Sequence, residues 1–120
     1  MLGSFHAVWG WVAIGLDTAA GLYGLVLAVM KHAPGKVFRN AIGAAIVASL
    51  LQVVVGVSLY AIGERPGRMH VFYGVLTAVA LALVYVYRGE MQAKNAALRW
   101  GLFSLFLAGL GFRAVATFAG

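Results

Sequence analysis

Four long apolar runs, separated by three short polar turns, constrain this chain more than any other feature. The runs cover about residues 5–30, 39–62, 69–87 and 96–118. A helix needs about 20 residues, each rising about 1.5 Å, to cross the roughly 30 Å hydrocarbon core of a bilayer. Each run is long enough, so the sequence predicts four transmembrane helices in a single domain that spans residues 1–120.

The composition agrees with a membrane protein. The chain is 63% hydrophobic and 10% charged, which leaves too few polar residues to cover a soluble domain. A net charge of +6 would suggest nucleic acid as the partner of a soluble protein, but here the basic residues lie between the apolar runs, as in membrane topology. We therefore expect a lipid bilayer, and no nucleic acid, as the partner. The chain has no cysteine, which excludes disulfides and thiolate metal sites.

Short turns force neighbouring helices to be antiparallel, so the predicted fold class is all-α, an up-down four-helix bundle in the membrane. Sixteen glycines are spread along the chain and indicate helices that approach closely through small residues, for instance at Gly21, Gly24, Gly101 and Gly109. An internal duplication is an open alternative description, with residues 4–63 and 68–120 as two parallel two-helix repeats. Such repeats would be related by an axis along the membrane normal.

The basic residues predict the orientation. One side of the predicted bundle carries Lys31, Lys36, Arg39, Arg88, Lys94 and Arg99, and the other carries Arg65, Arg68 and Arg113. Cytoplasmic loops carry the excess of lysine and arginine, so the first group is expected inside. Both termini are then extracytoplasmic, in a membrane of the prokaryotic plasma-membrane type.

Two histidines share a local pattern and a predicted depth. His6 and His70 are each followed by two residues, an aromatic residue and a glycine, and each lies in the first turns of its helix. The first and third helices run in the same direction and are diagonal partners in a four-helix ring, so the two imidazoles are expected to meet in the core. Gly10 and Gly74 fall on the same faces and would leave room for a flat macrocycle. This pattern predicts a haem iron held by His6 and His70.

Further polar residues could complete such a site. Arg113 lies near the end of the fourth helix on the same side and is expected to pair with a haem propionate, with Arg65 and Arg68 as candidates for the same role. Arg113 as a cation that extends to the membrane surface is an equal alternative. His32 lies in the basic turn on the opposite side, and we interpret it as a surface residue.

Asp17 is unusual because it lies near the middle of the first helix, where a carboxylate is costly unless it is paired or protonated. Eleven residues after His6, it returns to nearly the same helix face and points into the bundle. By depth, Gln52 is the expected hydrogen-bond partner, which predicts a structural Asp17–Gln52 clasp. A proton-handling role is the alternative, and Thr18 and Ser49 could extend either arrangement.

One stretch also resembles a known family. Six residues carry the resemblance, namely the pair Leu51-Gln52 together with Gly56, Gly63, Pro66 and His70. With this spacing they resemble the second helix, outer loop and third helix of one half of the haem A synthase family. The resemblance implies a four-helix half-domain in which two histidines, by position His6 and His70, ligate haem near the outer face.

The chain departs from that family at positions that matter for activity. The family has an acidic residue three positions before its first histidine, where this chain has Gly3. The outer-loop cysteine pair of many members is missing, and a second half is present only if two chains associate. The resemblance therefore implies haem binding, and we do not expect the chain on its own to act as a haem A synthase.

The leading functional hypothesis is a small membrane protein that binds b-type haem, in electron transfer or haem handling. Two alternatives stay open. One is a cofactor-free accessory or assembly subunit of a membrane respiratory complex, and the other is a quinone-binding protein in which a histidine hydrogen-bonds a quinone carbonyl. A homodimer or a larger respiratory complex is the expected protein partner. No nucleophile–base pair, phosphate loop or carboxylate dyad indicates a hydrolase or a transferase.

Overall fold

The computed structural model describes residues 1–119 and is all-α. Its helices are α1 (Leu2–Val29), α2 (Lys36–Ala61), α3 (Arg68–Val86), α4 (Arg88–Ala93) and α5 (Ala96–Ala116). All except α4 are long and apolar enough to cross a membrane, which confirms the predicted four-helix membrane bundle. The short α4 lies within the stretch that the sequence predicted to be a loop.

The predicted helix boundaries agree with the structure to within three residues. The largest differences are at the starts of α1 and α2, each of which begins three residues before the predicted apolar run. Gly3 and Ser4 are helical in α1, and Lys36 is helical in α2. Helices continue through polar residues at a membrane surface, so an estimate based on apolar length places these starts too late.

The four long helices form a ring in the order α1, α2, α3, α5. The most extensive contact is between α1 and α5, and α1 also packs along α2. α3 packs against α5 and, less extensively, against α2. α1 and α3 therefore lie diagonally opposite each other, as an up-down bundle requires. The whole molecule measures 47 × 24 × 21 Å, and its long axis is sufficient to span a bilayer with its interfacial regions.

The packing places small residues inside and large apolar residues outside. The buried positions include many alanines, such as Ala13, Ala20, Ala45 and Ala48, together with a few large side chains such as Phe38 and Leu107. Many large apolar side chains are exposed, and they include Val26, Leu50, Val57, Val75 and Phe106. A soluble protein rarely exposes so much contiguous apolar surface, so this surface faces lipid. The chain is thus an integral membrane protein.

The two ends of the bundle differ in chemistry. We call one end the histidine end, because His6 and His70 lie there. It consists of the first turns of α1 and α3, the α2–α3 turn and the end of α5. The opposite end holds the α1–α2 turn, α4 and the start of α5, and it is called the basic end. Asn95 precedes α5 with a φ of 51°, a left-handed conformation that asparagine tolerates well.

Close approach of α1 and α5 depends on glycine. A Cβ atom on Gly24 would lie 2.7 Å from the Cα atom of Gly101, and one on Gly21 would lie 2.5 Å from Cγ of Leu105. Three of the four glycines named from the sequence thus lie in this contact. Gly109 does not, because a Cβ atom there would meet open space.

Candidate functional site

The structure brings His6 and His70 together at the histidine end. Their ring centroids are 6.2 Å apart, and the ring planes are nearly perpendicular, at 79°. Both side chains are partly buried, and they extend toward each other across the diagonal of the ring. Because α1 and α3 run in the same direction, two residues in the first turns of these helices reach the same depth.

The backbone of α5 orients the His70 ring. Nδ1 of His70 lies 2.6 Å from the backbone carbonyl oxygen of Ala114. A carbonyl oxygen only accepts hydrogen bonds, so Nδ1 carries the proton and donates it. In the neutral ring, this hydrogen bond selects the tautomer whose Nε2 has a free lone pair, as a metal-ligating imidazole requires. The ring of Phe118 packs edge-on against His70, with the centroids 5.1 Å apart.

The His6 ring lies against α2 in the space that Gly56 provides. A Cβ atom at Gly56 would be 3.1 Å from Cε1 of His6, so even alanine would crowd the imidazole. Nδ1 of His6 is buried and has no hydrogen-bond partner among the described residues. Nε2 of His6 lies 3.5 Å from Nε2 of Gln52, at the outer limit of a hydrogen bond. The imidazole therefore has no strong side-chain partner.

Gln52 holds the backbone beside His6. Its amide nitrogen donates to the backbone carbonyl oxygen of His6 at 2.8 Å, which determines the orientation of the amide. The Oε1 atom of Gln52 is buried without a partner among the described residues. One buried polar atom on each of these two residues is thus without a protein partner, so both atoms are able to bond a polar ligand.

The predicted Asp17–Gln52 clasp is wrong. Asp17 is buried, and both of its carboxylate oxygens accept a hydrogen bond from the Ser49 hydroxyl, at 3.2 and 2.9 Å. Ser104 on α5 donates to the backbone carbonyl of Asp17 at 2.8 Å. Because α1 and α2 are antiparallel, Gln52 lies about one turn closer to the histidine end than Ser49 and meets His6 instead. The side chain of Thr18 bonds within α1, to the carbonyl of Ile14.

The two glycines predicted to leave room for a macrocycle differ. A Cβ atom at Gly10 would lie 3.0 Å from Nε2 of Gln52, so the Gln52 amide already fills the space beside Gly10. The prediction of free room at Gly10 is therefore wrong, because α1 and α2 pack closely there. A Cβ atom at Gly74 would meet no atom within 4 Å, so the α3 side of the site has open space.

Arg113 lies at the histidine end, as expected from its position in the last turn of α5. Its Nε atom donates to the Tyr73 hydroxyl at 3.2 Å, and its guanidinium carbon lies 5.4 Å from the centre of the Tyr73 ring. Arg65 lies over the Tyr60 ring at 3.9 Å, directed toward α2, and Arg68 is exposed at the start of α3. Of the three arginines, Arg113 is thus the one that bonds to Tyr73, which precedes Gly74 in α3.

Sequence reasoning missed several contributors to this site. The Ala114 carbonyl is a backbone atom of an alanine, so no residue type could have revealed it. The sequence predicted Phe118 only as the last residue of the fourth helix. In the structure its backbone carbonyl accepts a hydrogen bond from the Gly67 amide at 2.8 Å, which holds Phe118 beside the start of α3 and His70. Gly56 was noticed only through a family resemblance, although a glycine one turn after a glutamine within an apolar segment was an available signal.

The fold and these contacts define a small four-helix integral membrane protein with a pair of facing imidazoles at one end. Two neutral imidazoles at this spacing can hold a metal centre between them or hydrogen-bond a polar ligand. Among the described residues, no group of three or more histidine, cysteine, aspartate or glutamate side chains could hold a metal ion. Comparison with protein families, curated proteins and solved structures found no match to the chain.

Proposed function

We propose that this protein binds a b-type haem in the membrane, with His6 and His70 as the two axial ligands, and that it serves electron transfer or haem handling. The observation that carries the proposal is the 6.2 Å separation of the two ring centroids. At this separation the two imidazoles would be able to hold one metal between them, with a ring nitrogen from each. The geometry thus suits a single metal between the rings.

The hydrogen bonds around the rings support axial ligation. The bond from Nδ1 of His70 to Ala114 selects, in the neutral ring, the tautomer that leaves Nε2 available as a ligand, and it orients the ring. The His6 ring keeps a buried nitrogen without a partner, which metal binding or a bound polar group would satisfy.

The ligand count also favours a haem. Two protein side chains are too few for a stable site of a bare transition metal, whereas a porphyrin supplies four nitrogen ligands of its own. Gly74 leaves open space beside His70. Arg113, at the same end, can turn from Tyr73 to a propionate, because its bond to a neutral hydroxyl is weaker than a charge-assisted bond.

Electron transfer is the role that bis-histidine ligation favours. With both axial positions filled, dioxygen has no free coordination position, so a bound haem would supply reversible one-electron chemistry. The likeness to half of a haem A synthase agrees with haem binding. Gly3 stands where that family has an acidic residue, so we do not propose haem hydroxylation. A homodimer, or a place in a larger respiratory complex, would supply a partner for the electron.

A visible spectrum tests this proposal directly. The protein is expressed with ample haem, purified in mild detergent and examined for Soret absorbance and for a low-spin spectrum after reduction. His6→Ala and His70→Ala should each abolish the low-spin spectrum. His32→Ala is the matched control and should leave it intact, because His32 is exposed at the basic end. A purified, helical protein without Soret absorbance would refute haem binding.

A quinone site is the second candidate, because the Oε1 atom of Gln52 is a buried acceptor without a donor among the described residues. The hydroxyl of a quinol could donate to Oε1, and an imidazole N–H could donate to a quinone carbonyl. Retention of a quinone without haem, lost in Gln52→Leu, would favour this candidate. A protein that retains neither cofactor would favour the accessory-subunit hypothesis.

A further inference from the structure

A cleft of about 420 Å³ lies at the basic end, far from the two histidines. It opens between the first half of α2 and the start of α5, and Gln92 of α4 contributes to its polar rim. Its main lining residues are Phe38, Arg39, Ile42, Gly43, Ile46 and Trp100. Neither the proposed haem site nor the Asp17 cluster shares a residue with this cleft.

The cleft is apolar along its length and basic at its mouth. Arg39, Gly43 and Ile46 lie on successive turns of α2, with Ile42 beside Gly43, and a Cβ atom at Gly43 would meet nothing within 4 Å. The missing side chain at Gly43 therefore leaves an open channel on the surface of α2. Arg39 lies one turn nearer the membrane surface, at the start of the channel. This order of a cation followed by an apolar channel matches a phosphate headgroup followed by an acyl chain.

The charges of the basic end favour an anionic occupant. In addition to Arg39, this end carries five other lysines and arginines and a single acidic residue, Glu90. The described hydrogen bond of the Arg39 guanidinium is a long one, 3.4 Å to the carbonyl oxygen of Pro34. Arg99 is directed to the backbone carbonyl of Glu90, so it already has a partner. Arg39 is the cation that lines the cleft, and its long hydrogen bond to Pro34 can be exchanged for stronger, charge-assisted bonds to an anion.

We propose that this cleft binds one anionic phospholipid, with the headgroup phosphate at Arg39 and an acyl chain along Gly43 and Ile46. Basic pockets between transmembrane helices on the anionic side of a membrane commonly hold such headgroups. The guanidinium forms two parallel hydrogen bonds with phosphate oxygens, which a neutral surface residue cannot do. The site is independent of haem, and it would anchor the basic end in the leaflet that is richer in anionic lipid.

Trp100 provides a direct reporter, because its side chain lines the cleft. The other two tryptophans, Trp9 and Trp11, are replaced by phenylalanine in the full chain, which is then placed in phosphatidylcholine vesicles. Equal small fractions of brominated phosphatidylglycerol or brominated phosphatidylcholine are added, and quenching of Trp100 fluorescence is compared. One basic contact near a membrane surface predicts about a fivefold preference for the anionic quencher.

Matched variants separate this site from general attraction to the basic end. Arg39→Gln should reduce the preference to near unity, and Arg39→Lys, which keeps the charge but loses the paired hydrogen bonds, should give an intermediate preference. Arg88→Gln removes a charge from the same end but outside the cleft, and it should leave the preference nearly unchanged. Gly43→Leu should fill the channel and reduce quenching, whereas Gly15→Leu, at another open, lipid-facing glycine, should not.

Three results would overturn the proposal. The first is equal quenching of Trp100 by the two brominated lipids. The second is a preference that falls equally in Arg39→Gln and Arg88→Gln, which would indicate diffuse attraction rather than a site. The third is a Trp100 that neither lipid quenches, which would mean that a protein surface, such as a second copy of the chain, covers the cleft. Circular dichroism verifies that each variant is folded before the comparison.

Discussion

Replacing Gly24 with alanine should weaken the α1–α5 contact, although the change adds only one methyl group. A Cβ atom at Gly24 would lie 2.7 Å from the Cα atom of Gly101 and 2.7 Å from the carbonyl oxygen of Ala97. Both are backbone atoms of α5, so no side chain can rotate away to make room. Carbon atoms in contact are about 3.5–4.0 Å apart, so the two helices must separate locally by about 1 Å.

The expected loss of stability follows from that displacement. A gap of about 0.5–1 Å forfeits a quarter to a half of the dispersion energy of the contacts involved, and overpacking typically costs about 1–3 kcal/mol. Alanine has a higher helix propensity than glycine by about 1 kcal/mol, which offsets part of this loss. The free energy of unfolding of Gly24→Ala should therefore be lower than that of the wild type by up to about 2 kcal/mol, and lower than that of an alanine substitution at an open glycine of the same helix by about 1–3 kcal/mol.

Reversible unfolding in mixed micelles of mild detergent and sodium dodecyl sulfate, followed by circular dichroism, measures this difference. Gly15→Ala is the matched control, because Gly15 lies on the same helix, faces lipid and has open space around its Cα atom. This control should be as stable as the wild type or slightly more so. Equal stability of Gly24→Ala and Gly15→Ala would refute the backbone contact between α1 and α5.

Three further predictions concern hydrogen bonds and the fit of His6. Ser49→Ala removes the donor to both carboxylate oxygens of Asp17, so it should lower the free energy of unfolding by about 1–3 kcal/mol in the same titration. An unchanged free energy would contradict a stabilising role for this hydrogen bond. Trp9→Phe removes the indole N–H that donates to a carbonyl of α2, so it should lower the free energy of unfolding by about 1 kcal/mol in that titration. An unchanged free energy would contradict a stabilising role for this hydrogen bond. Gly56→Ala should displace the His6 ring and alter the low-spin haem spectrum of a haem-loaded sample without loss of helicity, and a wild-type spectrum would show that Gly56 does not limit the ring.

The sequence predicted the helices and the depth of the histidines because both follow from one-dimensional properties. Apolar length determines which segments cross the membrane, and position within a segment determines depth to about one turn. His6 and His70 were therefore expected at one level, and their rings are 6.2 Å apart. The ring order of an up-down bundle then placed α1 and α3 diagonally.

The partners of individual side chains were less accessible to the same reasoning. Asp17 was paired with Gln52 by depth, but one turn of error along α2 separates Gln52 from Ser49, the true partner. Gly10 was expected to leave free space, whereas the Gln52 amide fills it. Such details depend on the rotation of each helix about its axis, which nearly uniform apolar segments do not encode strongly.

The packing of α5 against both α1 and α3 has a consequence for biogenesis. This helix contributes neither imidazole, yet it lies beside both helices that do, and its Ala114 carbonyl orients one of the rings. The ribosome synthesises α5 after the other helices, so an inserting chain contains both histidines before it contains the helix that orients the His70 ring. A ligand that depends on the aligned pair is then captured only after α5 has entered the bilayer, and truncation before α5 should yield an inserted chain that cannot retain it.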